Sequence, residues 1–195
     1  MHGEQAATAH AISYGETGMQ MLAVSAAPCG YCRQFLYELT TASTLQILLP
    51  NTPAALLTTL IPDAFGPADL GVTAALMSPQ SHGMTLSSGD PLVQAALKAA
   101  NASYAPYTFS YAGVALKTKD GGIFTGSVAE NAAYNPSMSP LEAAVVSLVI
   151  SGGKSYSDIA DAVLVEAAGS KASQAAATRA VLGTITSVPL RFYAA

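Results

Sequence analysis

At 195 residues the chain has room for one large domain or two small ones, and 51% hydrophobic against 10% charged residues is ample material for a core. A net charge of −4, with no basic stripe carrying interleaved aromatics, argues against nucleic acid as a substrate. No run of about 18 apolar residues is present, so no membrane span is expected, and Met1-His2-Gly3-Glu4-Gln5 lacks the basic and apolar regions of a secretory signal.

In chain order, the Ala-rich residues 2–14 predict a helix with His2 and Glu4 in its first turn, closed by a turn over Gly15 to Gly18. Residues 19–27 are a mostly apolar run of strand length. A helix over 29–40 and a strand over 44–49, stopped by Pro50, follow. Helix–strand–helix–strand order predicts parallel strands joined by crossovers, hence an α/β fold with three layers, α/β/α. Residues 51–90 turn rich in Pro, Ser, Thr, Gly and Asp and read as a connector with one short helix at 53–60. A helix from Pro91 to about Ser103 precedes two strands, 109–118 and 122–128, around the turn Lys119-Asp120-Gly121-Gly122. Helices at 140–151 and 171–182 then alternate with strands at 160–167 and 188–193.

The chemistry concentrates at Pro28-Cys29-Gly30-Tyr31-Cys32, which holds both cysteines of the protein. At i and i+3 they share a face at a helix start, where free N–H groups and the dipole favour thiolate. Alone, the pair reads as a redox dithiol, half of a structural zinc site, or two core cysteines. With no disulfide framework, the composition fits a reducing compartment. Upstream stands His2-Gly3-Glu4. An H-x-E followed by P-C-x-x-C resembles the signature of zinc-dependent nucleobase and nucleoside deaminases. His2, Cys29 and Cys32 then make three ligands and leave a fourth position for water.

The two halves look alike. His2-Gly3-Glu4-Gln5-Ala6-Ala7 lies against Pro140-Leu141-Glu142-Ala143-Ala144-Val145, and Val24-Ser25-Ala26-Ala27-Pro28-Cys29 against Val165-Glu166-Ala167-Ala168-Gly169-Ser170. Cys32 falls on Ser173. The second copy has lost every ligand. Glu142 reads as a first-turn glutamate that favours the helix dipole.

Ser25-Ala26-Ala27-Pro28-Cys29-Gly30-Tyr31-Cys32-Arg33-Gln34-Phe35-Leu36, Ile61-Pro62-Asp63-Ala64-Phe65-Gly66-Pro67 and Asn101-Ala102-Ser103-Tyr104-Ala105-Pro106-Tyr107 resemble the two-domain, homodimeric cytidine deaminases over nearly the whole chain. The resemblance implies a partial catalytic domain at 1–50, a linker at 51–90 and a degenerate copy without zinc at 91–195. It implies Zn2+ as cofactor, a nucleoside substrate, a homodimer, a cytoplasmic location, and no nucleic-acid or membrane partner. The implied reaction is hydrolytic deamination of cytidine or deoxycytidine, with Glu4 as proton carrier rather than ligand and Phe65 as a pocket wall or an interface plug. The implied alternative is a zinc-binding protein without turnover that acts by association.

Two departures stand out. Gly3 fills a position that is usually alanine, and the front part of the catalytic copy, with its ribose-holding Asn and Glu, is expected to precede Met1. Glu130-Asn131 sits in the degenerate half, and no ribose role is transferred to it. Arg33 reads either as tempering the thiolate charge or as a solvent-facing helix residue.

Overall fold

A computed structural model describes residues 1–195. The chain divides into two compact units, the first made of 1–79 and 130–137, the second of 80–129 and 138–195.

In the first unit, α1 (Gly3–Ser13) leads to β1 (Met21–Ala23), α2 (Gly30–Leu36), β2 (Gln46–Leu48), β3 (Ala55–Leu56) and the single turn α3 (Leu57–Leu60). The sheet order is β1-β2-β3, with β1 parallel to β2 and β3 antiparallel to β2. Leu22, Phe35, Leu36, Leu45, Ile47 and Leu57 are buried. The expected strand at 19–27 is therefore short. After Ala23 only the Val24 N–H still donates to Leu48 O, and Pro28 cannot donate to a ladder. The predicted helix at 53–60 is half strand, because Ala55 and Leu56 pair with β2 before the chain turns. The predicted helix at 29–40 ends at Leu36, after which bonds close onto residues three back, Glu38 N–H to Phe35 O and Leu39 N–H to Leu36 O.

The second unit contains α4 (Pro91–Asn101), β4 (Ala112–Thr118), β5 (Ile123–Ser127), α5 (Pro140–Val146), β6 (Ile159–Glu166), α6 (Ala175–Ile185) and β7 (Leu190–Ala194). Its sheet runs β5-β4-β6-β7; β4 is antiparallel to both neighbours and β6 is parallel to β7. Alternate side chains point to opposite faces. Val114, Leu116, Ala162 and Leu164 pack with Leu141, Ala144 and Leu148 of the α5 segment and Leu182 of α6. Ala115, Val163 and Val165 pack with Leu92, Val93, Ala96, Leu97 and Ala100 of α4. The result is the three-layer α/β/α arrangement expected from the order of elements.

Two glycines set the layer spacing. A Cβ on Gly113 would collide with the backbone of Ala96 and Ala100 in α4, and one on Gly126 with the backbone of Pro140 and Ala144 in α5. The β4–β5 hairpin turns at Gly121, whose φ of +90° suits glycine. Helix α5 continues as a π-turn over Ser147–Ser151. Helix–strand–helix–strand with a parallel strand pair thus occurs twice, as α1-β1-α2-β2 and as α5-β6-α6-β7. No helix is long and apolar enough to cross a membrane.

Candidate metal centre

His2 is the N-cap of α1 and Cys29 the N-cap of α2, so both stand where a helix begins. The chain leaves the sheet after Val24, and Pro28 directly precedes Cys29 at the start of α2. Cys32 follows within the first turn of α2 and is buried, whereas Cys29 and His2 are exposed.

The two sulfurs lie 3.5 Å (Cys29) and 3.3 Å (Cys32) from His2 Nδ1, and the three donor atoms fall within 4.8 Å of one another. Tetrahedral zinc, with Zn–S about 2.3 Å and Zn–N about 2.0–2.1 Å, holds its sulfur and nitrogen donors roughly 3.5 Å apart. One imidazole and two thiols at this spacing fit that ion. The Cys32 backbone N–H lowers the Cys29 thiol, as expected for a residue heading a helix. Burial pushes the Cys32 thiol up, and a hydrogen bond with Glu4 adds to the rise. Glu4 is half-buried in the first turn of α1. The structure therefore gathers His2, Glu4, Cys29 and Cys32 in one place.

Phe65 is held beside α2 through its backbone. It is 44% accessible, and its carbonyl accepts a bond from Gln34 Nε2 at 2.6 Å. Arg33 is a strut within the first unit. Its Nε donates to Pro28 O at 2.7 Å and its Nη1 to Leu60 O at 2.6 Å, which fixes the carbonyl just before Cys29.

Sequence reading missed the part played by residues 130–137, which lie in the first unit. Asn131 Nδ2 donates to Gln34 O (2.9 Å), Tyr31 Oη to Asn135 O (2.7 Å) and Gln5 Nε2 to Pro136 O (2.9 Å). Glu38, buried in the first unit, accepts from the Ala132 N–H. Only Gln5 carried a signal, as the glutamine that follows three residues after a helix cap.

The positions of the second unit that the sequence sets against these residues hold other chemistry. Glu142 closes a capping box with Ser139: its Oε2 accepts from Ser139 N and Oγ at 2.8 and 2.9 Å. Ser173 Oγ and the Gln174 N–H donate to the two oxygens of Glu166, at 2.7 and 2.9 Å. A carboxylate from the end of β6 thus meets the start of α6. This anchoring holds 171–174 as a loop, and the helix begins at Ala175 rather than at 171 as predicted.

The family model of the cytidine and deoxycytidylate deaminase zinc-binding region matches residues 57–179, more than half of the chain. The chain is 47% identical over 193 residues to a cytidine deaminase of Vibrio cholerae, covering 98% of this chain and 65% of that protein. It is 47% identical over 196 residues to one of Photobacterium profundum, covering all of this chain and 66% of that protein. The chain therefore spans slightly less than two thirds of these relatives. Among solved structures, a cytidine deaminase from Burkholderia pseudomallei is 29% identical, with 49% of this chain and 75% of that one covered at a TM-score of 0.43. The matched region and the imidazole–dithiol group point to the same metal, and the chain belongs to the cytidine and deoxycytidylate deaminase family with zinc as its cofactor.

Proposed function

We propose that the protein hydrolyses cytidine, and deoxycytidine, to the corresponding uridine and ammonia, with His2, Cys29 and Cys32 holding zinc and Glu4 moving protons. The observation that carries this reading is the convergence of the three donor atoms within 4.8 Å of one another, with Glu4 in the first turn of the helix that His2 caps. Three protein ligands leave one position for water, the arrangement of a catalytic rather than a structural zinc. Bound there, zinc supplies Lewis acidity that brings the pKa of water to about 7.

Glu4 works from the first turn of α1 and stays out of the ligand set. It takes one proton from the attacking water and delivers it to N3 of the pyrimidine, then takes the proton of the new C4 hydroxyl and gives it to the amine as the C4–N bond breaks and the C4 carbonyl forms. Water adds at C4 and ammonia departs, which balances the reaction. Phe65 forms an apolar wall beside the base. By sequence descent we assign a zinc-bearing copy at 1–50, a linker at 51–90 and a degenerate copy at 91–195, while in packing 51–79 and 130–137 belong to the unit that holds the ligands. The protein works on free nucleosides in the cytoplasm as a homodimer, without nucleic-acid or membrane partners.

The test is loss of cytidine absorbance on incubation with the zinc-loaded chain, with Glu4→Gln as the blank. Turnover is expected to vanish in Glu4→Gln while one equivalent of zinc remains bound. Parent-rate turnover in that variant would remove Glu4 from its role. A zinc-loaded chain that turns over neither nucleoside overturns the activity and leaves a metal-binding protein that acts by association.

A further inference from the structure

We infer that the adjacent carbonyls of Asn135 and Pro136 form a bracket that sets the spacing between His2 and the two cysteines, with Gln5 and Tyr31 as its positioning residues. The inference rests on the ligand set proposed above. The ligands come from two separate elements, the start of α1 and the start of α2, so something must hold those elements in register for one ion. Gln5 is 2% exposed and works in both directions. Its Oε1 accepts from the His2 backbone N–H at 3.2 Å, and its Nε2 donates to Pro136 O at 2.9 Å. Tyr31 lies between the cysteines, and its hydroxyl donates to Asn135 O at 2.7 Å.

One dipeptide, more than a hundred residues away in sequence, therefore receives a hydrogen bond from each ligand-bearing element. Its own segment is held against α2 and the turn that follows, through Asn131 Nδ2 on Gln34 O and the Ala132 N–H on Glu38. The Tyr31 ring also stands near the imidazole, with centroids 5.8 Å apart. Groups that orient metal ligands from behind typically contribute about 10–100-fold to metal affinity.

The test uses the full chain, with zinc affinity measured by chelator competition and Co2+ as a spectroscopic probe of ligand geometry. Tyr31 is 40% exposed, so Tyr31→Phe removes one hydroxyl with little effect on packing. Gln5→Leu removes both bonds of the bracket's α1 arm at similar volume. Each variant is expected to bind zinc roughly tenfold more weakly and to shift the d–d bands of bound Co2+. If Gln5→Leu does not fold, Tyr31→Phe alone decides. Affinity within twofold of wild type with unchanged Co2+ bands in Tyr31→Phe overturns the bracket, even if the melting temperature falls. A Cys29→Ala chain separates the two ideas: wild-type zinc affinity in that chain overturns the ligand set, and the bracket with it.

Discussion

Two buried hydroxyl oxygens, Ser170 Oγ and Thr178 Oγ1, lack a hydrogen-bond partner. Thr178 sits inside α6 and is almost wholly buried. A buried hydroxyl without a partner keeps its desolvation cost and gains nothing in return, about 1–3 kcal/mol. Thr178→Val keeps the branched shape and removes the oxygen. It is expected to stabilise the chain by about 1 kcal/mol, seen as a melting temperature raised by roughly 2–4 °C. An unchanged or lower melting temperature would show that the hydroxyl is satisfied in solution. Ser173 contrasts with it, because its hydroxyl is bonded to Glu166. Of the two serines that the sequence comparison of the halves sets against the cysteines, one anchors the start of α6 and the other is an orphan.

At the scale of elements, the second unit is tied by Arg191 of β7. Its guanidinium donates to Asp90 Oδ2 at 2.8 Å and to Asp161 Oδ2 of β6 at 2.7 Å. Asp90 also caps α4 by accepting from the Leu92 N–H. The Arg191 bond, and then the Leu92 N–H, hold the Asp90 carboxyl below the ordinary carboxylate range. A depressed folded-state pKa gives stability that is fully present above the unfolded value of about 3.9 and is lost as pH falls through the folded one. Asp120, bonded to Lys154, and Asp158 are shifted the same way and add to the same acid limb. Thermal melts are therefore expected to be flat above about pH 5 and to fall steeply below about pH 4. Asp90→Asn keeps a capping side chain and should flatten the fall. An identical slope in that variant would refute the Asp90 contribution.

The same elements mark the limits of reading this fold from sequence. Long apolar runs such as Ala112–Thr118 and Ile159–Glu166 were legible because a strand buried on both faces needs them. Pro91 and Pro140, each at the first position of a helix, made those starts legible too. Helix ends and the shift of α6 were not, because they depend on distant contacts such as Glu166 on Gln174. At the site, the spacing of Cys29 and Cys32 is local and could be read directly. The Asn135 and Pro136 carbonyls are backbone acceptors, and a backbone acceptor leaves no trace in residue type.

For the whole molecule, the division into two units gives zinc an uneven role. His2, Cys29 and Cys32 all lie in the first unit, and the second contains no cysteine. A ligand that binds only the folded state stabilises it by about 2.7 kcal/mol at a hundredfold excess over its Kd. That stabilisation belongs to the unit that holds the donors. Removing zinc with a chelator should therefore raise amide hydrogen exchange in peptides from 1–79 and leave those from 80–129 and 138–195 unchanged. The informative peptide is 130–137, which is flanked on both sides in sequence by the second unit but packs in the first. Its bonds to Gln5, Tyr31, Gln34 and Glu38 couple it to the helices that carry the ligands. It is expected to lose protection together with α1 and α2. If it keeps its protection while 1–79 loses it, the segment is stabilised through its chain neighbours rather than by the metal-bearing unit.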